Sequence, residues 1–435
     1  MMYRRILTAT FVALLASGFA RAQVPSSAAT DLQSPDAKIR AKAARQLGQH
    51  GDLSAVQPLA NALNDPDKKV RREVVLALST FHSPDALDAL ITASHDADPG
   101  IRTDAVHGIV GYYTGKSPQF GFIAFWKRAW RNAKSRFVEE NYRIDPSVMV
   151  DPQAVTALVT VMKDTREIGP AREAADGLGI LVARDAVPDL IEAAHSSDED
   201  LSLEALNSLN KIKDTSAGPK IIDLLDSPDK DVRREAAVTV GILRTTEALP
   251  KLQSMYENGP DAKTRLKALE GLAYLGSPVS VQIFTNALWS SKKAYRPLGA
   301  EGLARAGDPK TLPDLLRAVQ SEKDGDARLA IEFAITALGR DDFINTLISQ
   351  LTSSRGDSAQ SYLAELARKP EFLAKLYPYL DNQDAGIRRR LCAVLMDSGD
   401  ASSLAPLERL SHDPNNDVAS EALRAMRSIR ARTGE

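Results

Sequence analysis

Residues 229–241 read Asp-Lys-Asp-Val-Arg-Arg-Glu-Ala-Ala-Val-Thr-Val-Gly, and the spacing inside this stretch decides the fold. Asp229 stands where a carboxylate can cap a helix start, and Arg233 follows one turn later. Val232, Ala236, Ala237 and Val240 fall at i, i+4, i+5 and i+8, the pattern of one buried helical face. Gly241 supplies a residue that ends helices without a left-handed penalty.

Working outward, the same Asp-x-x-x-Arg phrase recurs as Asp36 to Arg40, Asp67 to Arg71, Asp98 to Arg102, Asp261 to Arg265, Asp324 to Arg328 and Asp384 to Arg388. Arg40, Arg71 and Arg102 are spaced by 31 residues. Arg172, Ser202, Arg233, Arg265, Arg296 and Arg328 continue at 30 to 32, and weaker frames near Gln360 and Ala419 complete about twelve copies. Val70, Val74, Val75 and Leu78 repeat the apolar stripe, and Leu47-Gly48, Leu178-Gly179, Leu275-Gly276 and Leu338-Gly339 repeat the glycine break. A second helix then opens near Pro58, Pro188, Pro250, Pro313 or Pro406, where a missing N–H costs nothing. The unit is helix, turn, helix.

The Asp-x-x-Val-Arg phrase, the Leu-Gly breaks, and the starts Ala248-Leu249-Pro250-Lys251-Leu252 and Thr311-Leu312-Pro313-Asp314-Leu315-Leu316 resemble HEAT-like repeats of the type found in phycobilin lyases. The resemblance covers about residues 31–110 and 151–432. It implies an all-α fold, a right-handed solenoid of about twelve HEAT-like helix pairs, and a binding scaffold as the commonest use. The lyase relatives attach a chromophore to a partner's cysteine, an activity that needs no recognisable motif.

Physically, a 31-residue helix pair cannot bury both faces alone, so neighbours stack into a curved superhelix with a continuous core. At ~8–10 Å between helices, twelve pairs make an arc on the order of 100 Å. Each capping Asp contributes roughly 0.5–2 kcal/mol. Each Arg is placed to bond across to a neighbouring repeat's Asp or carbonyls, and recurrence assigns this ladder to structure rather than catalysis.

Of 435 residues, 43% are apolar, 26% charged and 24 aromatic, with 25 Gly and 23 Pro, which excludes collagen-like, disordered and polytopic membrane chains and calls for an aliphatic core. The net charge of −2 argues against a nucleic-acid partner. Arg4 and Arg5, the apolar stretch from Ile6 to Phe19, and Ala20-Arg21-Ala22 read as a signal peptide of residues 1–22, cleaved before Gln23. Its apolar part falls short of the ~20 residues that span a bilayer. The expected compartment is the periplasm of a Gram-negative cell, reached by general secretion or by the twin-arginine route. Cys392 is the only cysteine, excluding an intrachain disulfide, and its repeat counterpart is Ala237, so a small buried thiol is expected.

The repeat breaks once. Arg102 to Arg172 spans 70 residues, one 31-residue step plus 39, dividing the chain into repeats at 23–110, an insertion at 111–150 and repeats at 151–435. The insertion holds nine of the 24 aromatic residues, including Tyr112 and Tyr113, and seven basic residues against three acidic. As a helix from Phe120 to Val138, it would put Phe122, Phe125, Trp126, Trp130 and Phe137 on one face and Lys127, Arg128, Arg131 and Lys134 on the other. Such a helix fits as a lid on the solenoid, as a contact for an anionic membrane surface, or as a contact for a hydrophobic groove on a partner.

Motifs for chemistry are missing. His95, His195 and His412 each lie seven residues before a repeat's Arg position, so repetition explains them without a metal site. HEAT-like di-iron hydroxylases use His-Glu pairs, and no histidine here precedes Glu. No phosphate loop, nucleophile elbow, paired-Cys zinc pattern or dinucleotide turn appears. The sequence therefore leads to a non-enzymatic, cofactor-free, protein-binding scaffold of the cell envelope, with no small-molecule substrate. It would bind along a concave surface formed by the second helices. The alternatives are a peripheral membrane protein docking through residues 120–138 and a lyase-like enzyme.

Overall fold

The computed structural model describes residues 26–115, 143–145 and 147–434. Among them there is no strand. Twelve longer helices form one row: α1 (Ala37–His50), α2 (Lys68–Leu78), α3 (Pro99–Thr114), α4 (Ile168–Ile180), α5 (Glu199–Ile212), α6 (Lys230–Ile242), α7 (Ala262–Leu275), α8 (Tyr295–Ala306), α9 (Gly325–Ala337), α10 (Gly356–Leu366), α11 (Ala385–Ser398) and α12 (Asn416–Thr433). Shorter helices, such as Pro84–Ala93, Val187–Ala194, Leu249–Asn258 and Leu312–Ser321, alternate with them in a second row. Each helix of the first row stacks on the next, giving an all-α solenoid.

Local chemistry starts the helices. Asp36, Asp67, Asp98, Asp229, Asp261, Asp324 and Asp384 all accept a hydrogen bond from the main-chain N–H two or three residues ahead. Each thereby satisfies an orphan donor of the first turn. The apolar stripes form one continuous core, with Val70, Val74, Val75, Leu78, Ala236, Ala237 and Val240 fully buried.

The glycine breaks serve two different purposes. Gly276 and Gly339 do leave the helix at positive φ, 63° and 95°. Gly48, Gly179 and Gly241 instead lie inside α1, α4 and α6. There they permit close approach: a Cβ on Gly241 would lie 2.3 Å from the Gly271 carbonyl oxygen, and one on Gly48 2.7 Å from the Ala77 Cα. Expecting these three to end helices was wrong, because the space they leave is filled by the next helix. Three successive helices, α4 to α6, are followed by non-glycine residues at positive φ: Val182, Lys213 and Arg244, at 51°, 57° and 56°.

This close approach brings successive helices of the first row tightly together. Polar side chains on its surface are crowded: Arg102, Asp104, His107, Asn210, Lys211, Arg234 and Glu270 are all buried.

The insertion's described ends are regular or tied down. α3 runs on through Thr114 to a left-handed Gly115, so Tyr112 and Tyr113 belong to the helix; Tyr113 Oη accepts the Asp151 N–H at 3.0 Å. Ile144 donates its N–H to the Ile180 oxygen at 2.9 Å, and Arg143 lies 3.2 Å from Asp397 on α11. The superhelix therefore coils until the C-terminal ends of α4 and α11 share a neighbour. Phe122, Phe125, Trp126, Lys127, Arg128, Trp130, Arg131, Lys134 and Phe137 lie outside the described residues.

Candidate functional site: a polar groove across the first row

A groove of about 470 Å³ crosses four consecutive helices of the first row, α4 to α7. Helical periodicity builds it. Asp200, Leu203, Glu204, Asn207, Asn210 and Lys211 form one stripe of α5, Asp231, Arg234, Glu235, Val238 and Ile242 one stripe of α6, and Lys263, Lys267 and Glu270 one stripe of α7. Arg172 of α4 closes one corner and bonds Asp200 at 2.7 Å. Five carboxylates and five cations line the groove, so its formal charge is zero.

Ion pairs and hydrogen bonds fix its walls. Arg234 reaches Asp231 at 2.7 Å, Asp261 at 3.0 Å and the Thr264 hydroxyl at 3.1 Å, joining α6 to α7. The Arg234 hydrogen bond holds the Asp231 carboxyl below its usual range against the opposing effect of burial. Lys211, only 3% exposed, donates to Asp176 of α4, and Asn210 Nδ2 donates to Glu235 at 3.0 Å. Two buried polar atoms have no protein partner, Asn210 Oδ1 and Arg172 Nε. Asp200 and Asp231, like Glu204 and Glu235, recur at the 31-residue step, whereas Asn207, Asn210 and Lys211 do not, and recurrence was the only signal available for finding functional positions in the sequence.

The ladder residues occupy the opposite kind of place, the N-terminal edge of the row. Arg40, Arg71 and Arg388 each clasp, through Nε and Nη2, a carboxylate 25 residues on, at 2.6–3.0 Å: Asp65, Asp96 and Asp413. Arg296 does the same to Glu322. Each of these acids then accepts the N–H of the next helix's capping residue, at 2.8–2.9 Å. The ladder carboxylate is thus the residue two before the cap, not the capping Asp itself, because that Asp already spends its oxygen on the helix start. Arg102 donates to the Asp96 and Ala97 carbonyls and lies 3.8 Å from the Asp164 carboxylate, Arg233 donates to the Ser227 and Pro228 carbonyls, Arg265 to the Gly259 carbonyl, and Arg328 to the Val319 carbonyl and the Glu332 carboxylate.

A buried seam lies apart from both regions. Arg305 of α8, 5% exposed, bonds Glu365 of α10 through Nε and Nη2, both at 2.9 Å, and lies 3.3 Å from the fully buried Glu301. Tyr362 donates to Glu301 at 2.6 Å, and the Arg305 guanidinium sits 5.0 Å over the Tyr274 ring. Burial pulls the Arg305 pKa down, but Glu365 and Glu301 outweigh it and raise it overall.

The remaining sequence candidates stand as structural residues. Cys392 is fully buried, and its thiol is pushed up to about 12, chiefly by burial, so it is not a nucleophile at neutral pH. His95 and His195 sit just past the ends of two short helices, each with Nδ1 at the carbonyl four residues back, 3.1 and 2.8 Å away. Among the described residues, no three His, Cys, Asp or Glu side chains gather as a metal site would require, and no helix is long and apolar enough to cross a membrane.

Capped helix pairs stacked around one aliphatic core, with chemically varied side chains on the first row, define a helical-repeat scaffold. The chain belongs to the HEAT-repeat family: residues 28–109, 155–241, 187–265 and 249–336 match the model described as HEAT repeats. Among solved structures, it is similar to the CpcE–CpcF complex of phycocyanin lyase from Nostoc, at 19% identity and TM-score 0.35, over 64% of this chain and 94% of that one. It is also similar to YibA of Escherichia coli, at 15% identity and TM-score 0.38, over 74% and 94%. No curated protein matches it.

Proposed function

We propose that this chain is a non-enzymatic protein-binding scaffold of the cell envelope, exported by residues 1–22 and holding its partner in the α4–α7 groove. One observation carries this reading: in a molecule built by repetition, the groove gathers Asn207, Asn210 and Lys211, which have no counterparts one 31-residue step away, around two buried polar atoms with no protein partner. Structure alone does not demand such variety on a helix face, whereas recognition of one partner does. The groove's mixed, neutral lining also fits a protein surface better than a polyanion.

Photo-crosslinking tests it. With benzoylphenylalanine at Asn207 in the groove or at exposed Gln57 in the second row, discrete crosslinked species are expected from the envelope fraction with the first position and not the second. Equal crosslinking from both positions, or recovery of the chain outside the envelope fraction, overturns the reading.

A further inference from the structure

Arg143 lies 3.2 Å from the Asp397 carboxylate, a partner 254 residues further along the chain. The pair ties residues 143–145, which rest on α4, to α11, seven places on in the first row. Both footings are firm. Ile144, 7% exposed, packs into the core and donates its N–H to the Ile180 oxygen of α4 at 2.9 Å. On the other side, Arg432 of α12 donates to the Met396 and Gly399 carbonyls at the end of α11. Arg143, Asp145 and Asp397 all act on the Arg432 charge, so two arginines and two acids gather where the three helix ends meet.

In a solenoid each interface adds a small rotation, and the place of a distant helix is the sum of all the rotations before it. A bond between helices seven places apart therefore registers that whole sum, which no contact between neighbours does. Resting on the scaffold reading above for its purpose, we infer that the Arg143–Asp397 pair, backed by Asp145 and Arg432, is a latch that holds the superhelix in a closed coil and couples that coil to the α4–α7 groove. The groove lies within the latched span. Opening the latch frees the interfaces from α4 to α7 to rotate and so moves the groove's walls. An occupant that fixes those interfaces favours the closed coil in return, because coupling between two sites is reciprocal. With side chains 28% and 26% exposed, the pair is weak and screened by salt. Such a pair biases the closed-to-open ratio by up to about fivefold, enough for a graded response and too little for a lock.

The test combines small-angle X-ray scattering with amide hydrogen exchange on the purified chain, with no partner present. At low salt, Arg143→Ala and Asp397→Ala should each raise the radius of gyration. Each should also speed exchange of the Ile144 N–H by about two- to fivefold. Asp397 is 254 residues from Arg143, so its effect on Ile144 reports the closed coil rather than local structure. The native chain should show the same two changes between about 0.01 M and 1 M salt, as the screening length falls from ~30 to ~3 Å. Exchanging the charges, Arg143→Asp with Asp397→Arg, sets two acids on the segment against two arginines on α11 and α12 and should restore the native values.

An unchanged radius in both single variants, or no recovery in the exchanged pair, overturns the latch. Faster exchange at Ile144 without a larger radius also overturns it, since the segment would then loosen while the coil stayed shut. The salt arm alters no residue, so it does not depend on how a variant folds. Coupling is read separately: Asn207 crosslinking should fall about two- to fivefold in Asp397→Ala. Undiminished crosslinking from an opened coil overturns the coupling and leaves the scaffold reading standing, whereas no crosslinking in the native chain overturns that reading and leaves the latch to the scattering result.

Discussion

The cap edge of the first-row helices and the seam between α8 and α10 are built from the same arginine–carboxylate chemistry, yet they differ in reach. At the cap edge, Arg40, Arg71 and Arg388 find their acids 25 residues away, in the adjoining repeat. At the seam, Arg305 finds Glu365 60 residues away, skipping α9. The cap-edge contact is repeated along the solenoid, so its loss at one position is local. The seam stands alone where stacking weakens, since α9 and α10 touch only lightly while Tyr362 and Glu365 reach back to α8.

The comparison is sharpest at Arg305. Arg305→Met should strand a fully buried Glu301 and the Glu365 carboxylate together, costing about 3–5 kcal/mol. Because a solenoid's stability is carried by neighbour interfaces, the loss should appear as early hydrogen exchange in α10 to α12. A uniform decrease along the chain, or a loss under about 1 kcal/mol in urea unfolding, would erase the distinction between seam and edge.

Next in size is the helix contact that sets the curvature. A Cβ on Gly271 would lie 2.1 Å from the Ala237 carbonyl oxygen, a backbone atom that cannot swing aside. Gly271→Ala should force α6 from α7 and cost about 1–3 kcal/mol in a urea titration. The same change at Gly51, where φ is 68° with nothing within 4 Å, tests backbone strain without a steric clash. Its expected cost is about 1 kcal/mol.

These particulars explain what could be read from the sequence. Asp229, Val232 and Arg233 announced their roles because helix capping and burial are local and are written again in every repeat. Arg305 and Glu365 gave no such sign, since nothing local relates positions two repeats apart. Gly48 and Gly179 were misread because an internal contact glycine and a terminal glycine look alike in sequence. The groove escaped notice for a different reason: Asp200, Asn210 and Lys263 resemble ordinary solvated helix positions until the row bends and brings them together.

At the cap edge itself, Arg71→Met leaves Asp96, 9% exposed at its side chain, without its guanidinium and should cost about 2 kcal/mol. Arg265→Met, losing its bond to the Gly259 carbonyl, should cost about 1 kcal/mol. Asp65 and Asp413 are held below the usual carboxylate range mainly by their arginines. A depressed folded pKa gives stability that is fully present above the unfolded value of about 3.9 and lost as pH falls through the folded value. Urea midpoints should therefore hold from neutral pH down to about pH 5 and fall below about pH 4. Arg388→Met should flatten that fall; an unchanged pH profile would mean that the edge contributes nothing through ionisation.

The smallest stability effect is expected where the functional effect is greatest. Lys263 and Lys267 sit 64% and 30% exposed at the groove's rim, paired with Asp231 at 3.4 Å and Glu270 at 2.9 Å. Replacing both with Ala should move unfolding by no more than about 0.5 kcal/mol each, as for other surface pairs. The same double change takes away two of the groove's five cations and should weaken partner crosslinking from Asn207 about tenfold or more. Cap-edge arginines carry the opposite signature, a stability loss with unchanged crosslinking from Asn207, because their partners lie within their own and adjoining repeats. If Lys263→Ala with Lys267→Ala destabilised the chain as much as Arg71→Met, the groove would be one more structural seam, and its chemical variety would need another explanation.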